Sequence, residues 1–172
     1  GSFDSWLIRE KLRQDDKTAG MAIGQFHQML LGGVDGWKDL TTGDGTHLDL
    51  QKEDNTVWME LKNKENTVNS SSMHKMRERL EDVNEDHPNC KCYWAFVVAS
   101  NGKSYDKIWW PYANAKAKNE NIRKISGDKI YEVVTGVAGN LKKTLDALQK
   151  AIPEVCSESK PISVDDVNKI NE

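Results

Sequence analysis

Two spacings of apolar residues alternate along this chain of 172 residues. A period of two marks strands and a period near 3.6 marks helices. In Val57-Trp58-Met59-Glu60-Leu61-Lys62-Asn63-Lys64, the side chains of Val57, Met59 and Leu61 face one way. Trp58, Glu60, Lys62 and Lys64 face the other. Gly45 to Leu50 reads as a short partner strand, joined through the polar turn Gln51 to Thr56, where Asp54-Asn55 tolerates turn geometry. Cys92 to Ala99 is apolar throughout, a strand buried on both faces, and Asn101-Gly102 reads as the turn after it. Tyr105 to Trp110 and Ile130 to Thr135, the latter ended by Gly136, read as further strands. Helical spacing begins after Asp4 or Ser5, with Trp6, Leu7 and Leu12, and breaks at Asp15 to Thr18. It returns from Met21 to Leu31, with Ala22, Phe26, Met29 and Leu30 as the buried stripe and Gly32-Gly33 as the stop. Met73, Met76, Leu80 and Val83 form a core stripe of a helix capped by Ser71 or Ser72. Leu141, Leu145, Leu148 and Ile152 mark a last helix, stopped by Pro153. Strands interspersed with helices predict an α/β domain: a mixed central β-sheet flanked by helices, with the 45–64 hairpin near one edge. No internal repeat is visible.

The hairpin carries the chemistry. Asp49, between Leu48 and Leu50, points away from both leucines. Antiparallel pairing around the turn sets it opposite Trp58 and diagonal to Glu60, at about 7–8 Å between Cα atoms. Two carboxylates at that spacing hold one hard cation such as Mg²⁺, with Mn²⁺ as the alternative. Lys62, two residues beyond Glu60, can orient an attacking water or neutralise charge on a phosphorane. Asp49-x10-Glu60-x-Lys62 is thus the phosphodiester-cleaving pattern PD-(D/E)xK, with Leu48 where the name has proline. The same spacing also describes a solvated strand face.

Charge narrows the picture. Lys and Arg number 24 against 27 Asp and Glu, a net −3. Residues 154–172 hold five acids and two lysines, also −3, so the rest of the chain sums to zero. A globally basic DNA binder is excluded; a DNA face has to be a local patch helped by a metal. Residues 103–124 carry six basic groups against two acids, interleaved with Tyr105, Trp109, Trp110 and Tyr112. They read either as a nucleic-acid wall including Lys116 and Lys118 or as a core strand with a solvated loop. Three cysteines give no disulfide framework. His87, Cys90 and Cys92 lack an apparent fourth ligand for zinc, so the thiols read as buried or free. No apolar run is long enough to span a membrane, and no secretory signal pattern is present. A reducing cytoplasm is the expectation.

The run Glu60-Leu61-Lys62-Asn63-Lys64-Glu65-Asn66-Thr67-Val68-Asn69-Ser70-Ser71 resembles the active-site block of type II restriction endonucleases that cut GGNCC or GGWCC. Ile23 to Gln28 with Gly36-Trp37, and Tyr131 to Gly136 with the last helix, look like the same family's outer blocks. The resemblance spans roughly residues 20–153. It implies a PD-(D/E)xK restriction-endonuclease-like fold, Mg²⁺ dependence, double-stranded DNA as substrate, a GC-flanked site and 5′-phosphate ends. It also implies a metal ligand in the backbone carbonyl of Leu61, beside Asp49 and Glu60. A near-palindromic site is read most simply by a homodimer. A cognate DNA methyltransferase is expected in the cell, though not as a bound partner.

Expected DNA contacts are Gln25, His27 and Gln28 of the second helix, which otherwise read as surface or interhelix groups. Others are Asn63, Lys64, Asn66, Thr67, Asn69 and Ser70 after the catalytic strand, then Lys75, Lys116 and Lys118. Arg77 and Arg79 join Lys64 and the basic groups of 103–124 as candidate readers of guanine edges. The expected organisation is a tag scar at residues 1–2, one nuclease domain over 3–153 and an acidic polar tail over 154–172. Two alternatives stay open: a DNA-binding module of the same fold that does not cut, and another nuclease of this superfamily acting in repair or on modified DNA, as one part of a larger protein.

Overall fold

The computed structural model describes residues 14, 17, 21, 23–40, 45–110 and 119–147. The predicted first helix, the 154–172 tail, Tyr112, Lys116, Lys118, Leu148, Ile152 and Pro153 lie outside the described residues. In order come a helix over 23–32 (α1), β1 (Trp37–Asp39), β2 (Leu50–Lys52) and β3 (Val57–Lys64). A 3-10 turn (Glu65–Thr67) leads into α2 (Ser70–Asp86). Then follow β4 (Lys91–Val98), β5 (Asp106–Ile108), β6 (Ile122–Ser126), α3 (Asp128–Thr135) and a helix over 140–147 (α4). Six strands form one sheet in the order β1-β2-β3-β4-β6-β5. β1, β2 and β3 pair antiparallel; β3, β4 and β6 run parallel; β5 returns antiparallel on β6. Parallel neighbours need a long crossover, and α2 supplies the one between β3 and β4. This is the mixed, helix-flanked sheet that the sequence predicts.

The sheet has a core on each face. Leu50, Met59, Leu61, Tyr93, Ala95 and Val97 point to one side, where Leu31 of α1 and Ile130, Tyr131 and Val134 of α3 cover them. Trp58, Cys92, Trp94 and Phe96 point to the other, under Met76, Leu80 and Val83 of α2. β4 is therefore buried on both faces, as its unbroken apolar run requires. Each large side chain placed in these layers contributes about 1.5–3 kcal/mol.

Four sequence expectations change. The stretch 130–135 is the helix α3 and not a strand. Its β-branched residues suit either state, but Ile130, Tyr131 and Val134 fall on one helical face against the sheet, and that burial decides. Gly136 does stop the element, in the left-handed conformation with its N–H on the Glu132 carbonyl. In α1 the buried positions are His27 and Leu31, whereas Met29 is 70% and Leu30 41% exposed. Gly32 ends this helix against β1: a Cβ there would lie 2.7 Å from that of Asp39, so only glycine allows the approach. The cap of α2 is Asn69, whose side chain accepts the Ser72 N–H at 2.8 Å, and not Ser71 or Ser72. Lastly, Leu48 and Leu50 join opposite cores, because His47 has φ +55° and Asp49 is a bend just outside β2.

Candidate active site on the β2–β3 hairpin

The hairpin turn fixes where the carboxylates meet. Asn55 takes φ +61° and its N–H bonds the Lys52 carbonyl at 2.9 Å, while Asp54 accepts the Thr56 N–H at 2.9 Å. A four-residue loop, Glu53 to Thr56, results. Leu50 pairs with Met59 and Gln51 with Trp58, so Asp49 stands across from Glu60, not from Trp58. The register thus sets the two acids opposite each other, in place of the diagonal arrangement expected from the sequence. The Asp49 N–H bonds the Met59 carbonyl at 2.9 Å, and Asp49 Oδ2 accepts the Leu61 N–H at 2.7 Å. Each carboxyl acts on the ionisation of the other, and Lys62 Nζ lies 2.7 Å from Glu60 Oε1.

The surroundings set the charge. Glu60 is only 5% exposed, in contrast to the solvated position that its alternating spacing suggests. Burial, and then the Asp49 charge, push its carboxyl up to about 7 against the restraint of Lys62. Burial also raises Asp49, with the Leu61 N–H and Lys62 pulling the other way. Between about pH 4.5 and 7 the folded protein keeps a proton on Glu60 that the unfolded chain has lost. Stability of the cation-free protein therefore falls as pH rises through that window and levels off above it. Melting temperatures in chelator across this range should decline more steeply for the wild type than for Glu60→Gln. An equal slope in both would place the titration elsewhere.

A cleft of about 590 Å³ opens beside the hairpin. Asp49, Leu61, Lys62, Asn63 and Lys64 line one side, and Lys17, Met21, Gly24, Gln25 and Gln28 the other. So Gln25 and Gln28 do reach the hairpin; Gln28 Nε2 also donates to Asp39 Oδ1 at 2.8 Å. Asp39, whose charge acts on Asp49, is a third carboxylate that sequence reasoning missed. No spacing signals it, since β1 joins the site only through its pairing with β2. His27 does not line this cleft. It is fully buried, with Nδ1 2.6 Å from the Tyr131 hydroxyl, because α1 turns that face into the core.

Of the later contacts, Asn66, Asn69, Ser70 and Lys75 are exposed, with Asn69 engaged as the helix cap; Thr67 closes the 3-10 turn. Arg79 is exposed but Arg77 is 6% exposed, bonded to Glu81 and to the Trp109 carbonyl. The basic-aromatic stretch is partly spoken for. Trp109 is core, Arg123 pairs with Asp106 at 2.7 Å, and Lys124 sits over the rings of Trp94, Phe96 and Trp109. In the described part of that stretch Trp109, Arg123 and Lys124 are engaged, while Lys103, Lys107 and Trp110 (45%) stay exposed. Cys90 and Cys92 are buried, with Sγ atoms 3.4 Å apart, and His87 stacks on Trp58. Among the described residues no helix is long and apolar enough to cross a membrane.

A mixed sheet with helices on both faces, carrying the Asp-x10-Glu-x-Lys hairpin, defines the class: a restriction-endonuclease-like fold. The family described as Eco47II restriction endonuclease matches residues 1–158, and the chain belongs to that family. The type II restriction enzyme Eco47II of Escherichia coli is 33% identical over 165 residues, 91% of this chain and 68% of that enzyme. The type II restriction enzyme Sau96I of Staphylococcus aureus is 30% identical over 144 residues, 78% of this chain and 54% of its own length. No solved structure matches the chain.

Proposed function

We propose that this chain is a Mg²⁺-dependent endonuclease that cuts both strands of double-stranded DNA at a short GC-flanked site of the GGNCC kind. The observation that carries this reading is half-buried Asp49 set across the hairpin from buried Glu60, with Lys62 Nζ at 2.7 Å from the glutamate. Family membership supports it. Residues 3–153 act as the nuclease domain, Gln25 and Gln28 face the duplex across the cleft, and two copies cut opposite strands.

The donors fit a hard divalent cation. Asp49, Glu60 and the Leu61 carbonyl offer oxygen alone, with Glu60 buried, Asp49 half-buried and Lys62 as the counter-charge at 2.7 Å from Glu60. Among the described residues no group of three or more His, Cys, Asp or Glu side chains stands together, so a cation here would be held by Asp49, Glu60 and the Leu61 carbonyl. When bound, the cation supplies Lewis acidity to the scissile phosphate and makes water more acidic. The rest falls to the chain. The Leu61 N–H fixes Asp49 through one oxygen and leaves the other for the site. Glu60 would meet the cation as the second carboxylate and holds Lys62 Nζ at 2.7 Å. Lys62, held by Glu60, orients the attacking water and neutralises charge on the phosphorane. The products carry 5′-phosphate ends.

The test is cation exchange. With Mg²⁺ the protein should cut plasmid DNA; with Ca²⁺ it should bind without cutting, since the larger ion is looser in geometry. With chelator it should not cut. Cutting in chelator, or tight binding without cutting in Mg²⁺, overturns the reading.

A further inference from the structure

We propose that Glu65 is a positioning residue for DNA recognition: its carboxylate clamps the turn that follows the catalytic strand to the far half of the sheet, and so fixes how Asn66 is presented to the duplex. The inference rests on the DNA-cutting reading above and adds to it a residue with no place in the Asp-Glu-Lys pattern.

Glu65 opens the 3-10 turn directly after Lys64. Its Oε2 accepts the Ser100 N–H at 3.0 Å and the Ser100 hydroxyl at 3.2 Å. Its Oε1 accepts the Tyr105 hydroxyl at 2.9 Å and lies 3.7 Å from Lys124 Nζ. Ser100 lies in the turn after β4, Tyr105 directly before β5, and Lys124 on β6. One side chain therefore ties the end of β3 to three separate segments. Desolvation opposes the charge, but the Ser100 N–H, the Tyr105 hydroxyl and Lys124 outweigh it and hold the carboxyl below its ordinary range. Lys124 is itself held over three aromatic rings at 5.1–5.6 Å, so it cannot follow a wandering carboxylate.

The other end of the turn is fixed independently. Asn69 accepts both the Ser72 N–H and the Ser72 hydroxyl, and Val68 packs against the core under α2. Between these two anchors Asn66 is exposed. An amide on a turn held at both ends, two residues past the cleft-lining Lys64, is pre-organised to read a base edge or grip a phosphate. A turn free to move would lose that advantage as ordering entropy on binding.

Three full-length variants test the proposal: Glu65→Gln, Glu65→Ala and Tyr105→Phe. Each is measured for duplex affinity in Ca²⁺, for discrimination between the cognate site and a site with one changed base pair, and for single-turnover cleavage at saturating DNA in Mg²⁺. Glu65→Ala should weaken binding and discrimination by about tenfold or more, given what a charge-assisted network contributes. Its saturated cleavage rate should stay within about twofold of the wild type. Glu65→Gln, which can still accept from Ser100, and Tyr105→Phe should show smaller losses of the same kind. Wild-type affinity and discrimination in Glu65→Ala overturn the proposal, whatever its melting temperature. So does a loss confined to the cleavage rate. A wild type that does not bind or cut duplex DNA instead removes the underlying reading.

Discussion

Glu60→Gln and Lys62→Met should each lower single-turnover cleavage of a cognate duplex by about 10²–10⁴-fold, the usual worth of a positioned acid or base. Both should fold normally, for different reasons. Lys62 is half-exposed, so its loss removes little packing. Glu60 is buried, and the neutral amide relieves the cost of holding a carboxylate there. Glu60→Gln should therefore melt no lower than the wild type near neutral pH while cutting poorly. That opposition between stability and rate is what a strained functional group gives and a structural one does not. Asp49→Asn should lose cleavage and also bind Mg²⁺ more weakly, since its amide can still accept the Leu61 N–H but offers the cation no charge. Cutting within about tenfold of the wild-type rate by any of the three would remove that residue from the machinery.

Arg77→Ala should cost about 2–4 kcal/mol of folding stability while leaving DNA affinity per folded molecule unchanged. Arg77 spans from α2 to the segment after β5: Nε donates to Glu81 at 2.6 Å, Nη1 donates to the Trp109 carbonyl, and the guanidinium lies 5.7 Å from the Trp109 ring centre. Truncation leaves that carbonyl without its donor and exposes the ring. Arg77→Met, which keeps the stem, should recover part of the loss by packing. Urea denaturation checks the first part and binding across a salt series the second. A duplex contact would flatten the salt slope by about 0.9, and such a flattening with unchanged stability would restore Arg77 to the DNA face.

Sequence patterning carried some elements fully. The alternation in 57–64 gives both faces of β3, the unbroken apolar run gives β4, and Met76, Leu80 and Val83 give the buried stripe of α2. What it missed has a common cause. His27 is buried by a partner 104 residues away and Arg77 by one 32 residues away, so neither can be told from a surface group by local spacing. Glu65 is anchored by residues 35 and 40 positions on. The stretch 130–135 is ambiguous by composition and is settled only by the sheet face it covers. At the site itself, the residue types were legible but the register was not. The left-handed Asn55 sets a loop that moves Asp49 from Trp58 to Glu60, and that shift brings the Asp49 charge to bear on the buried Glu60 carboxyl.

The most direct measurement is to sequence the ends of every fragment that the wild-type protein produces from plasmid DNA in Mg²⁺. The hairpin site and family membership together lead to one outcome: all ends fall at a single short sequence flanked by G·C pairs, on both strands, with phosphate on the 5′ side. Ends scattered without a common sequence, or 5′-hydroxyl ends, would contradict the account.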